Sequence, residues 1–133
     1  MSRYVVDASV AVEYLLRTEL GQTAAELLAD AELVAPELMD AETFATLRKF
    51  WLRNEITEER FRMAVEDLAD WPIRRVSHRV MLNLVWRFRH NVSGYDSFYV
   101  ALADAYGFPV LTADGPLARA TGLGIVVQNV RLL

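Results

Sequence analysis

Four carboxylates stand where a short α/β chain would place groups that act together: Asp7, Glu42, Asp96 and Asp114. Asp7 follows the apolar run Tyr4 to Val6, Asp96 opens the helical segment Tyr95 to about Ala105, and Asp114 follows the run Val110 to Ala113. In an open parallel sheet, strand ends and helix starts share one rim, where such folds build their sites. Each pair of carboxylates that converges to about 5 Å repels by roughly 3 kcal/mol at an effective dielectric of about 20. Hard divalent cations relieve that repulsion, and an all-oxygen donor set suits Mg²⁺ or Mn²⁺ with several retained waters. Such a centre orients water for in-line attack on a phosphodiester, so metal-assisted phosphodiester hydrolysis is the expected reaction.

Each acid also has a use that involves no chemistry. Asp96 in a first turn complements the helix dipole, an effect of about 0.3–1 kcal/mol. Asp7 and Asp114 are placed to cap the helices that begin near Ser9 and at Gly115-Pro116. Glu42 is chosen by helical geometry. It shares a stripe with Leu38 and Ala45, whereas Glu37 and Asp40 point about 140° and about 160° away and read as first-turn surface acids. An inward carboxylate needs a partner or a cation. Asp104 lies about 12 Å along the helix from Asp96, too far to share one ion, and reads as a structural hydrogen bond or ion pair. His78 and His90 belong to a strand-to-helix junction and a loop start.

The elements that must position these acids alternate. Strands are expected at Tyr4–Val6, Glu32–Ala35, Ile73–Val76, Val110–Ala113 and Ile125–Val130. Helices are expected from Ser9 to about Thr18, at Gly21–Ala31, from Pro36 to about Arg53, at Ile56–Ala69 with Thr57 as N-cap, at Val80–Phe88, at Tyr95–Ala105 and at Leu117–Ala120. Pro36 is expected at the first helical position, where its missing N–H costs nothing. Five short strands with βα alternation imply one α/β domain over residues 1–133, with a mainly parallel sheet.

Composition removes other chemistries. With no cysteine and two histidines in 133 residues, disulfides and thiolate or histidine-rich metal centres are excluded, leaving oxygen ligands. A net charge of −4 argues against a surface that grips nucleic acid throughout, although acids gathered in one site would leave the rest near balance. Lys49 is the single lysine among 14 basic residues, and guanidinium groups suit bidentate phosphate contacts. Arg48, Lys49 and Arg53 beside Phe50 and Trp51 form either a solvated face with an aromatic edge or an RNA or partner surface, and Arg87 and Arg89 ahead of Asp96 either help a phosphate approach or are surface charge. The apolar runs are too short to span a membrane and the N-terminal residues lack a signal peptide's cleavage region, so a cytoplasmic location is expected.

The segments VVDAS, APELMDAETFATL and SGYDSFYVALADAYGFPVLTAD together resemble the PIN-domain ribonucleases, and the length of the chain, with the resemblance running over nearly all of it, is similar to the VapC toxins of bacterial toxin-antitoxin pairs. The coupled last segment carries most of the specificity. The resemblance implies a PIN-like three-layer α/β/α fold, a Mg²⁺-dependent endoribonuclease with Mn²⁺ as a substitute, a homodimer, and neutralisation by a VapB-like antitoxin. It assigns Asp7, Glu42, Asp96 and Asp114 to the acidic site, with Asp7 and Asp96 as metal ligands and Asp114 as a further candidate. Ser9 and Thr112 match its supporting hydroxyls. Two alternatives belong to other classes: a catalytically silent binding module of the same fold, and a phosphoryl-transfer enzyme of the haloacid-dehalogenase type, whose pattern calls for an acid where Ser9 stands.

Overall fold

Apolar runs from opposite ends of the chain meet at the middle of one sheet. β1 (Arg3–Val6) pairs in parallel with β2 (Glu32–Pro36) on one side and with β4 (Val110–Thr112) on the other. β3 (Arg74–Val76) lies outside β2, and β5 (Val127–Asn129) lies outside β4, giving the order β3-β2-β1-β4-β5. The computed structural model describes residues 1–119 and 122–133. Every strand pairing in it is parallel, so the mainly parallel expectation becomes a wholly parallel sheet among the described residues. Val5, Val6, Val34, Ala35, Val110 and Leu111 are buried, as central strands covered on both faces must be.

Strand order reverses between β1 and β4. The chain leaves β1 towards β2 and β3 and returns to the other side of β1 as β4, which opens a crevice at the carboxyl ends of these two strands. Parallel neighbours cannot be joined by tight hairpins, so the helices lie in the crossover connections. α1 (Ala8–Leu16) and α2 (Glu19–Leu28) connect β1 to β2, and α3 (Leu38–Leu52) and α4 (Glu58–Asp70) connect β2 to β3. A 3₁₀ turn (Arg79–Met81), α5 (Leu82–Trp86) and α6 (Gly94–Tyr106) lead to β4, followed by α7 (Gly115–Arg119), β5 and a final 3₁₀ turn (Val130–Leu132). α6 packs on β1 and β2. Where α2 crosses α1, a Cβ on Gly21 would lie 1.9 Å from the Glu13 carbonyl oxygen, so the crossing requires glycine.

Several boundaries move for local reasons. α2 starts two residues before Gly21 because the Thr18 hydroxyl accepts from the Gly21 N–H, and the chain reverses at Asp30, whose φ is 58°. Pro36 closes β2 instead of opening α3; its pairing is with Val76 of β3, and the pairing of β2 with β1 has already ended at Val34, so no sheet bond to β1 is lost. Thr57 caps α4 as expected, accepting from the Arg60 N–H at 3.1 Å. The segment expected as one helix, Val80 to Phe88, is a 3₁₀ turn followed by the five-residue α5. β5 begins at Val127 and ends at Asn129, one residue before the expected end, because the Asn129 side chain accepts from the Arg131 N–H and starts a 3₁₀ turn. α7 begins at Gly115, and Ala120, the expected end of that helix, lies outside the described residues.

Asp40 is not a plain surface acid. Both of its oxygens accept from Arg75 Nε, at 3.1 and 3.2 Å, while the rest of that guanidinium donates to the carbonyls of Leu68, Trp71 and Ile73. Among the described residues, no helix is long and apolar enough to cross a membrane.

Candidate active site

Asp7 ends β1 and is 6% exposed. Its side chain makes no capping bond to α1; the carboxylate Oδ2 instead accepts from Ser9 Oγ at 2.6 Å and from Thr112 Oγ1 at 2.8 Å. Ser9 Oγ accepts from the Ala113 N–H, and Thr112 Oγ1 accepts from the Asp114 N–H. The two hydroxyls therefore tie the end of β4 to the end of β1 through one carboxylate. Burial raises the proton affinity of Asp7, the hydroxyls lower it, and the charges of Asp96 and Asp114 raise it again; the balance is upward.

Glu42 is reached by a different route from the one its periodicity suggests. The buried face of α3 is Met39, Thr43 and Leu47, Ala45 is exposed, and Glu42 stands half-buried at the edge of that face. Its Oε1 accepts from the Tyr99 hydroxyl at 2.6 Å. Burial raises its pKa most, the Tyr99 bond opposes this, and Asp7 and Asp96 add repulsion. Asp96 sits in the first turn of α6, behind Ser93, whose hydroxyl accepts from the Asp96 N–H. Its pKa is also raised, first by burial, against the Ser93 bond, and then by Asp114.

The four predicted acids line one cleft of about 400 Å³, together with Ser9, Glu13, Thr46, Phe50 and Arg131. Among the described residues none of the four is in an ion pair with Arg, Lys or His. Repelling oxygens without a cationic partner fit a hard divalent ion. The same residues provide no ready cage, since among the described residues no three His, Cys, Asp or Glu side chains group as a metal-holding set. A hydrated octahedral ion held through one or two carboxylates needs none, so the donor set fits Mg²⁺ in that form.

The predicted basic residues are elsewhere. Arg48, Lys49 and Arg53 are exposed on α3 and its end, while Thr46 and Phe50 of that helix face the cleft. Arg87 Nη1 pairs with Asp104 Oδ2 at 3.5 Å, the ion pair expected for that acid, and the Arg89 guanidinium lies 4.2 Å from the Trp86 ring centroid. Sequence reasoning missed Tyr99 and Arg131. Tyr99 lies one turn after Asp96 and so on the same helix face, a signal that was available; Arg131 is placed by strand register and carries no local signal. His78 accepts the Leu38 N–H through Nε2 at 2.8 Å and holds the start of α3.

A wholly parallel α/β fold with carboxylates gathered at its topological switch point defines an acidic-cleft domain. The chain belongs to the PIN-domain family, whose PIN domain it matches over residues 4–123. It is 38% identical to Ribonuclease VapC1 of Mycobacterium tuberculosis over 98% of this chain and 100% of that protein. Among solved structures it is similar to FitAcB from Neisseria gonorrhoeae, with a TM-score of 0.69 and 14% identity over 98% of this chain and 99% of that one. It is also similar to VapBC2 from Rickettsia felis bound to a DNA fragment from their promoter, with a TM-score of 0.60 and 12% identity over 96% of this chain and 98% of that one.

Proposed function

We propose that this chain is a Mg²⁺-dependent endoribonuclease toxin, a single PIN domain that forms a homodimer and is neutralised by a VapB-like antitoxin. The observation that carries the reading is the convergence of Asp7, Glu42, Asp96 and Asp114 in one cleft without a cationic partner among the described residues, in a PIN domain related to a named ribonuclease. The solved VapBC2 assembly supports an antitoxin partner.

When bound, Mg²⁺ or Mn²⁺ supplies Lewis-acid stabilisation of charge developing on the phosphodiester. Asp7 and Asp96 would hold the ion, with Asp114 as a further oxygen donor. Ser9 and Thr112 fix the Asp7 carboxylate by donating to one of its oxygens. Glu42 is half-exposed, has a raised pKa and is oriented by Tyr99, which suits it to take a proton from attacking water at its free oxygen.

Incubation of the purified protein with structured RNAs in Mg²⁺ or EDTA tests the reading. Cleavage is expected in Mg²⁺ alone, with loss of cleavage and weaker Mg²⁺ binding in Asp96→Asn and retention of both in Asp104→Asn. Cleavage that persists in EDTA, wild-type rates in Asp96→Asn, or phosphatase turnover without RNA cleavage would each overturn it.

A further inference from the structure

We propose that Arg131 is a phosphate-positioning residue that holds the RNA strand at the acidic cleft; the assignment rests on the ribonuclease reading above. Among the described residues lining the cleft, Arg131 is the one basic side chain. An anionic polymer approaching five acids, Asp7, Glu13, Glu42, Asp96 and Asp114, meets its favourable contact there.

The guanidinium is held in place from both directions. Thr112 of β4 is in register with Asn129 of β5, and the Asn129 side chain accepts from the Arg131 N–H at 3.0 Å, so the backbone of Arg131 is set by the strand that delivers Asp114. The side chain then returns to the cleft, where Nε donates to the Ala113 carbonyl at 3.0 Å, one residue from Asp114. Nη2 stands 3.9 Å from Glu13 Oε1, and the other oxygen of Glu13 accepts from the Thr18 hydroxyl at 2.5 Å. Glu13 thus orients the guanidinium without a close hydrogen bond to it. One guanidinium edge is anchored through Nε, and the side chain remains 56% exposed, with Nη hydrogens free for a phosphate oxygen.

The test is steady-state cleavage of a fluorescein-labelled single-stranded RNA in Mg²⁺ by the wild type, Arg131→Gln and Arg131→Lys at several KCl concentrations. Anisotropy of the same RNA on each of these proteins in an Asp96→Asn background gives binding without turnover, and melting temperatures report folding. Arg131→Gln should raise KM roughly tenfold with little change in kcat, weaken the anisotropy Kd by a similar factor, and reduce the slope of log Kd against log salt by about 0.7. Arg131→Lys should restore the salt slope and recover KM in part, because it keeps the charge and loses the planar fork. Unchanged KM and salt slope in a folded Arg131→Gln protein would overturn the assignment. So would a KM change accompanied by a lowered melting temperature and an unchanged slope, the pattern of a structural tether. If the wild type cuts no RNA, the ribonuclease reading falls and takes this one with it; wild-type cleavage with an unaltered Arg131→Gln slope sinks this one alone.

Discussion

The hydroxyl of Tyr99, on a side chain fully buried in α6, donates a 2.6 Å hydrogen bond to Oε1 of Glu42 on α3 and so joins two helices through a residue that lines the acidic cleft. Burial and the charges of Asp7 and Glu42 push the phenol's pKa far above its ordinary range, so Tyr99 stays a donor. Tyr99→Phe should therefore leave the core packed and release Glu42. A loss of about 1 kcal/mol is expected, since the half-exposed Glu42 can turn to water, while kcat for RNA cleavage should fall roughly tenfold because the proton acceptor has lost its orienting partner. Single-turnover RNA cleavage in saturating Mg²⁺ decides this, and an unchanged rate would remove Tyr99 from the site.

The raised pKa values of Asp7, Glu42 and Asp96 have a definite sign in stability. A carboxyl group that holds its proton more firmly when folded stabilises the chain fully below its unfolded pKa of about 4, and that contribution is lost as pH rises through the raised value. At neutral pH the metal-free protein should consequently carry a penalty that Asp96→Asn relieves. The variant's melting temperature in EDTA should exceed that of the wild type near pH 7, and the difference should shrink towards about pH 4 as Asp96 in the wild type takes up its proton. Mg²⁺ should reverse the neutral-pH order by stabilising the wild type through binding. A difference in EDTA that grows as pH falls would contradict a converged acidic site.

The strands and their terminal acids were legible because both signals are local: a short apolar run bounded by Asp7, or by Asp114, reads the same in the chain and in the sheet. Glu42 was reached through an imperfect stripe, since helical periodicity alone does not say which of two adjacent faces the neighbouring elements cover, and the covered one is Met39, Thr43 and Leu47, on a helix that packs against α1 and α4. Pro36 illustrates the same limit, because a proline suits a helix start and also the end of a strand whose inner pairing has stopped. Asp40 looked solvated because its partner Arg75 is 35 residues away and reaches it only when β3 joins β2. Arg131 depends on the register of two three-residue strands, which no sequence window contains.

His78 offers a test of how α3, which carries Glu42, is started. The side chain of Glu37 makes no capping bond, and the Leu38 N–H is satisfied instead by Nε2 of His78, whose ring packs on Phe98 at 4.6 Å. His78→Ala should cost about 1 kcal/mol for an uncapped helix start, seen as a lower urea midpoint with an unchanged slope. His78→Gln, which keeps an acceptor, should recover part of the loss. Equal stability of His78→Ala and the wild type would mean that water serves the Leu38 N–H as well as the imidazole does.

Arg75 predicts the sharpest contrast between two arginines on neighbouring elements. Its guanidinium takes both oxygens of Asp40 and the carbonyls of Leu68, Trp71 and Ile73, so that one side chain, 22% exposed, closes the carboxyl end of α4 and fastens it to α3 and β3. Lysine retains the charge and cannot span this arrangement with a single ammonium. Arg75→Lys should lose about 1.5–3 kcal/mol, the range for hydrogen bonds to charged groups, and Arg75→Ala more, since buried carbonyls are left without donors. Arg62→Lys is the control: Arg62 pairs with Glu66 at 2.5 Å on the exposed face of α4, and replacing it should change stability by no more than about 0.5 kcal/mol. Urea unfolding of the three variants separates the cases, and a midpoint for Arg75→Lys equal to that of Arg62→Lys would show that the fork contributes no more than a surface charge.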